Sequence, residues 1–423
     1  DIATYKARYA ELASWLETYG DLPQAEEVYK LALQKHKKRM AMPRRPINVS
    51  LKSFSDYEPD LAQPRLNSYD RRKVAYIQKM VKRHMSAGHP SAAQHFIESA
   101  KSQKTLSPYE TDALRVWIAS SYFFNHSDES ALALAHDVAE RRREKLPLAD
   151  WVAGLASWRL GKVESSARHF EFVMDSPDLG PWMRAGAAYW AARANLVARV
   201  PERVTKDLRV AARYQFTFYG LLALRQRGEA PKFVWDGQNV GPEDYAKALA
   251  MAPVKRGIAL AQVGEIARAD QEMRRAHAMS PGALDRTLIA LASEYQLAAA
   301  QLYIAEHSNA SGVDAALYPI PAYRPQNGFT VDRALVYAFM RQECAFKPAA
   351  KSHAGASGLM QIMPATAAFV TGDRSLRKRN RLRLMEPSYN LRLAQNYIEQ
   401  LLRDTESKGN LFMLAVGYNG GPG

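Results

Sequence analysis

Along residues 1–320 apolar side chains recur every three or four positions, and Ala, Leu, Glu, Lys and Arg dominate. That is the period of an amphipathic helix, built from residue types that lose little on entering one. Strand-like alternation is scarce, so the pattern predicts a mainly helical chain. A weak repeat runs through it: Gly20–Ala25–Tyr29, Gly88–Ala93–Ile97, Gly161–Ser166–Phe170 and Gly264–Ala269–Met273. In each, a glycine permits the turn between two helices, a small residue lets them approach, and a larger one fills the groove a turn later. Stacked hairpins of this kind bury a continuous core and curve into a superhelix. Irregular spacing between copies makes this a degenerate α-solenoid; an irregular helical domain is the plainer alternative.

Three segments break the helical pattern. Residues 43–67 hold four prolines and little periodicity and read as a long loop. Residues 230–245 and 318–329 are the others, and the last is the best domain boundary, with helix expected to resume at the capping residue Thr330.

The 423 residues suffice for two or three domains, and no apolar run is long enough to span a membrane. DIATYKARYA is too polar for a signal peptide, but the chain begins at Asp1 and not at Met, which leaves room for an upstream piece. A formal charge of +15 favours an acidic partner such as nucleic acid, an anionic membrane face or an anionic polymer, with plain solubility as the alternative. The single cysteine, Cys344, excludes an internal disulfide.

The chemistry is concentrated after the last break. VDRALVYAFMRQE carries seven consecutive apolar residues, Ala334 to Met340, so its helix should be buried nearly all round. Glu343 shares a face with Val336, Phe339 and Met340. Pro348 should stop the helix soon after, leaving Glu343 in the last turn, where the helix dipole is negative. Apolar surroundings and that dipole both disfavour a carboxylate and raise its pKa, as a general acid requires. SHAGASGLMQIMP follows, with Gly355 and Gly358 suited to tight turns, Met360, Gln361 and Met363 forming an apolar wall with one amide, and Pro364 opening a helix. Acid, glycine loop, amide and helix in this order make a groove for a polar polymer. His353 has no metal-spaced partner and reads as a solvated loop residue. The basic run RSLRKRNRLR, residues 374–383, reads equally well as a contact for acidic groups or as a solvated loop. No zinc, calcium-loop or phosphate-loop pattern is present.

RQECAFKPAAKSHAGASGLMQIMPATA resembles the catalytic core of the soluble lytic transglycosylases. MEPSYNLRLAQNYIEQLL, residues 385–402, is similar to the family's EP-x-x-N helix, and AVGYNGGPG, residues 415–423, to its AAYNAGPG motif. The resemblance implies an α-superhelical region at 1–244, a small helical linker at 245–325, and a lysozyme-like α+β catalytic domain, mostly helical, at 326–423, with further helices beyond Gly423 closing the groove. It implies a periplasmic enzyme that cleaves the β-1,4 bond between N-acetylmuramic acid and N-acetylglucosamine in peptidoglycan, giving 1,6-anhydro products. No cofactor, metal or nucleic acid is implied. Partners would be glycan strands with acidic stem peptides, and other cell-wall enzymes through the superhelix.

Position by position, the resemblance makes Glu343 the single acid and base, and Ser352, Gly358, Met360, Gln361, Met363, Tyr418 and Asn419 substrate-binding residues. Tyr418 would hydrogen-bond the Glu343 carboxylate and Phe346 would pack beneath it. Cys344 stands where the family usually has serine, a better donor. A hydrolytic lysozyme of the same fold would need a second carboxylate, with Asp373 or Glu386 as candidates. Asp332 shares the helix face of Glu343 but lies about 16 Å along it. A glycan-binding scaffold without turnover is the third reading.

Overall fold

The computed structural model describes residues 7–46, 68–233, 240–403 and 409–421. Most of the loop read at 43–67 lies outside these residues, as does the middle of the 230–245 break. Among the described residues the secondary structure is almost entirely helical. The β contribution is two isolated bridges, Lys351 with Ser357 and Ser357 with Ile362. No helix among them is long and apolar enough to cross a membrane.

The chain forms two compact units, one of residues Ser53–Lys232 and one joining Asp1–Lys52 to Phe233–Gly423. These divide the chain differently from the boundaries read at 244/245 and 325/326. Within the second unit the physical tie is visible. Arg256 bridges Asp21 at 2.7 Å and Glu272 at 2.9 Å, and Arg275 donates to the Asp21 carbonyl, fixing the turn between helices Tyr9–Tyr19 and Ala25–Lys35 to helices Ala252–Gln262 and Ile266–Met279.

In the Ser53–Lys232 unit each helix from Pro108–Phe124 to Phe218–Gln226 packs on the next, and two of them, Pro108–Phe124 and Pro181–Val197, also reach the next but one, as stacked hairpins do. The repeat read from the sequence is visible here at two of its copies. Gly88 and Gly161 are left-handed (φ 75° and 70°), Ala93 and Ser166 are fully buried, and so are Ile97 and Phe170. Gly264, Ala269 and Met273 do the same in the other unit. The Gly20 copy departs from this, since Gly20 is right-handed and Tyr29 is only partly buried. At the Gly161 copy, Gly154 makes the approach: a Cβ there would lie 2.8 Å from the Phe170 ring, and Ser166 Oγ donates to the Gly154 carbonyl at 2.9 Å.

The last part of the chain places helices Arg333–Cys344, Pro364–Thr371, Pro387–Arg403 and Leu411–Gly420 around a core that includes Val336, Met340, Phe346, Leu359, Leu384 and Ile398. The first of these helices is not buried all round. Val336, Met340 and Cys344 form one buried stripe at four-residue spacing, while Ala334 and Ala338 are exposed. It also starts later than expected. Asp332, not Thr330, is the cap, its carboxylate accepting from Ala334 N and Leu335 N. Thr330 N instead donates to Gln395 Oε1 at 3.0 Å, so the entry segment is pinned to a distant helix.

Candidate active site

The Arg333–Cys344 helix ends one residue after Glu343, ahead of Pro348, because the chain turns left-handed at Ala345 (φ 48°) and Phe346 (φ 62°). Such backbone is uncommon without glycine and costs on the order of 1 kcal/mol or more per residue, so the surroundings must hold it. Phe346 is held by burial in the core, 1% exposed. Glu343 is thereby left half-buried at the helix end. Among the described residues its carboxylate has no hydrogen-bond or ion-pair partner, and burial pushes its pKa up.

Cys344, the next residue, is buried in the core. Its Sγ donates to the Leu359 carbonyl at 3.0 Å and to Met340 O at 3.4 Å, tying the acid helix to the glycine loop. Burial pushes this thiol up to about 12.

The glycine loop folds on its own backbone. Ser352 N donates to Ala356 O at 3.0 Å, Ala356 N to Ser352 Oγ at 2.9 Å, and Gly358 N to Ala350 O at 2.9 Å. Gln361, also left-handed (φ 43°), donates its side-chain amide to Gly358 O at 2.8 Å and Ala350 O at 3.1 Å, and its amide oxygen has no hydrogen-bond partner among the described residues. Behind the loop stands Asn390, fully buried. Its Nδ2 donates to Ser357 O and Leu384 O, both at 2.9 Å, and its Oδ1 accepts from Met360 N at 2.8 Å. Gly358 (φ 81°) lies so close that a Cβ would sit 2.3 Å from Leu384 O and 2.5 Å from Asn390 Nδ2.

These elements enclose a cavity of about 380 Å³ lined by Glu343, Ser352, Ala354, Ala356, Gln361, Ile362, Met363, Thr366, Tyr397, Tyr418 and Asn419. It brings together the acid and five of the seven residues expected to bind substrate. Gly358 and Met360 are the other two; they lie buried behind the wall, where Gly358 admits Asn390 and Met360 packs in the core. Tyr418 differs from expectation in its bond: Oη donates to Met360 O at 2.8 Å, not to Glu343. Its ring packs between Phe339 at 4.5 Å and Tyr397 at 5.5 Å, and burial, with Glu343 nearby, raises its pKa well above 10.

Glu343 is the one carboxylate among the lining residues. Asp373 is spent on capping a 3-10 turn through Ser375 N at 2.9 Å, and Glu386 is exposed; neither lines the cavity. His353 is exposed and outside the lining. Asn390 is the last residue of the EP-x-x-N motif at the start of its helix, whereas Tyr397 is a lining residue that the sequence reading does not name; its place seven residues on, along the same helix face, is the signal that points to it.

A family model described as "Transglycosylase SLT domain" matches residues 322–423. The soluble lytic murein transglycosylase of Salmonella typhimurium is 35% identical over 101 residues, which are 24% of this chain and 15% of that relative's length. Among solved structures, lytic transglycosylase Slt from Pseudomonas aeruginosa, an inactive glutamate-to-glutamine mutant, superposes with TM-score 0.59 at 18% identity, covering 98% of this chain and 66% of that one. A 70-kDa soluble lytic transglycosylase in complex with bulgecin A gives TM-score 0.55 at 16% identity, covering 100% and 82%. The structural likeness carries the helical fold, and the sequence match carries the groove: residues 322–423 are similar to the transglycosylase SLT domain and to the corresponding part of the soluble lytic murein transglycosylases.

Proposed function

We propose that this protein cleaves peptidoglycan glycan strands in the periplasm without water, and that Glu343 is both its acid and its base. The observation that carries the reading is the lone carboxylate. Glycosidases of the two-carboxylate type flank the scissile bond with two acids. Here one half-buried acid with a raised pKa faces the cavity. Protonated Glu343 gives its proton to the bridging oxygen of the β-1,4 bond. The carboxylate so formed takes the proton from the C6 hydroxyl of the same muramoyl ring, and that oxygen closes on C1 to give the 1,6-anhydro sugar. Atoms balance with no water added, and Glu343 ends protonated.

Burial supports both steps: it holds the proton on Glu343 before the first and makes the carboxylate a stronger base in the second. Ser352, Gln361, Met363, Tyr418 and Asn419 are assigned to binding the sugars, with Gly358 and Met360 supporting the wall from behind. Residues 326–423 form the catalytic domain in this reading, and the preceding helices a superhelical region and linker.

Glu343→Gln is isosteric but cannot exchange the proton. Turnover of purified peptidoglycan should fall at least about a hundredfold, with circular dichroism and melting unchanged. Near-normal turnover by the folded variant would sink the assignment.

A further inference from the structure

The basic run at 374–383 is the motif that the proposed mechanism leaves unused. It is not a free loop. Leu376 and Leu384 are fully buried in the core, Asn380 Nδ2 donates to Ser375 Oγ at 2.7 Å, and two 3-10 turns, Arg374–Arg377 and Arg381–Met385, fold the segment. The segment is thus a strap anchored at both leucines. From it Arg381 reaches the glycine loop, its guanidinium donating to Gly355 O at 2.8 Å. Gly355 is left-handed (φ 98°), and a Cβ there would lie 2.6 Å from the same nitrogen. The arginine therefore rests against bare backbone that any other residue would cover.

Gly355 lies between Ala354 and Ala356, which line the cavity, and Ser352, which also lines it, takes the other half of the turn. Among the described residues Arg381 forms no ion pair, so the Gly355 carbonyl is the acceptor the structure gives it. A hydrogen bond from a charged donor is roughly twice as strong as a neutral one.

We propose that Arg381 is a positioning residue for the cleavage reaction: it clamps the 352–358 wall of the glycan groove in its binding shape through the Gly355 carbonyl. The kinetic part rests on the proposed function; the clamping does not. Arg381→Ala removes the clamp and leaves Glu343 and its helix untouched. KM for soluble glycan fragments should rise about tenfold, the scale of one hydrogen bond to a charged group, with kcat nearly unchanged. Arg381→Lys, which keeps the charge without the planar fork, should fall between the two. Amide exchange across 352–358 should quicken in Arg381→Ala, while that of the Ser53–Lys232 unit stays the same. Unaltered loop exchange in a folded variant, or a fall in kcat with KM unchanged, overturns the proposal. Should wild-type protein show no turnover, the proposed function fails, and amide exchange, together with calorimetric binding of an N-acetylglucosamine oligomer, still decides the clamp. Weaker binding and faster exchange in Arg381→Ala support it, and no change in either refutes it.

Discussion

Asn390 offers the sharpest test of how the site is held. It is fully buried and joins three backbone groups from two segments: the carbonyls of Ser357 and Leu384 and the N–H of Met360. The partners fix the amide's orientation, since two acceptors need the NH₂ and one donor needs the oxygen. Asn390→Ala removes three buried hydrogen bonds, each with a net worth of about 1 kcal/mol, and strands their partners unless water enters. A loss of about 3–4 kcal/mol follows. Global denaturation would mix two units, so the better readout is native-state hydrogen exchange of the core amides in the Pro387–Arg403 helix. Amides there that exchange by full opening should speed up about a hundredfold or more. Asn390→Asp should be worse at neutral pH, because a carboxylate would face two carbonyls with no proton to give, and it should recover in acid as the carboxyl protonates. A loss below about 1 kcal/mol in Asn390→Ala, or an Asp variant that is indifferent to pH, would refute the reasoning.

Cys344, 8% exposed with its thiol pushed up to about 12, should carry about a thousandfold less thiolate than an ordinary thiol and resist labelling until the protein unfolds. Rapid labelling of native protein would show that the helix end is open. Asp270 and Glu306 are both pushed up to about 7 by burial, against Arg274 and Lys347 for the first and Arg341 and Lys347 for the second. Raised acids bind protons more tightly when folded, so their stabilisation is full below about pH 4 and is lost as pH rises through about 7. Melting of the unit that holds them should therefore fall between those limits, and Glu306→Gln should flatten the fall; an unchanged slope in that variant would contradict the burial argument.

The acid and the glycine loop were legible because their chemistry is local: a carboxylate in an apolar helix and glycines where the backbone turns; the closing motif with its tyrosine was legible only through its resemblance to the family's. What was not legible depends on residues far apart in the chain. Thr330 reads as a cap, yet Gln395, sixty-five residues on, takes its N–H, and the cap passes to Asp332. Seven apolar residues in a row suggested a helix buried all round, but alanines at 334 and 338 are small enough to face solvent, and one stripe suffices for the core. The basic run hid a core leucine, Leu376, with Leu384 buried just past its end, and a clamp behind its charge. Tyr418 sits where the family motif puts it, while its hydroxyl finds the Met360 carbonyl, a choice no sequence spacing dictates.

The central claim is that one carboxylate acts twice and no water enters. The direct measurement is mass spectrometry of muropeptides released from purified peptidoglycan in water enriched in heavy oxygen. Anhydro products, lighter by one water than lysozyme products and free of the heavy label, are expected. Products with reducing muramic ends that carry the label, formed at the rate of bond cleavage, would show a hydrolase and contradict the assignment.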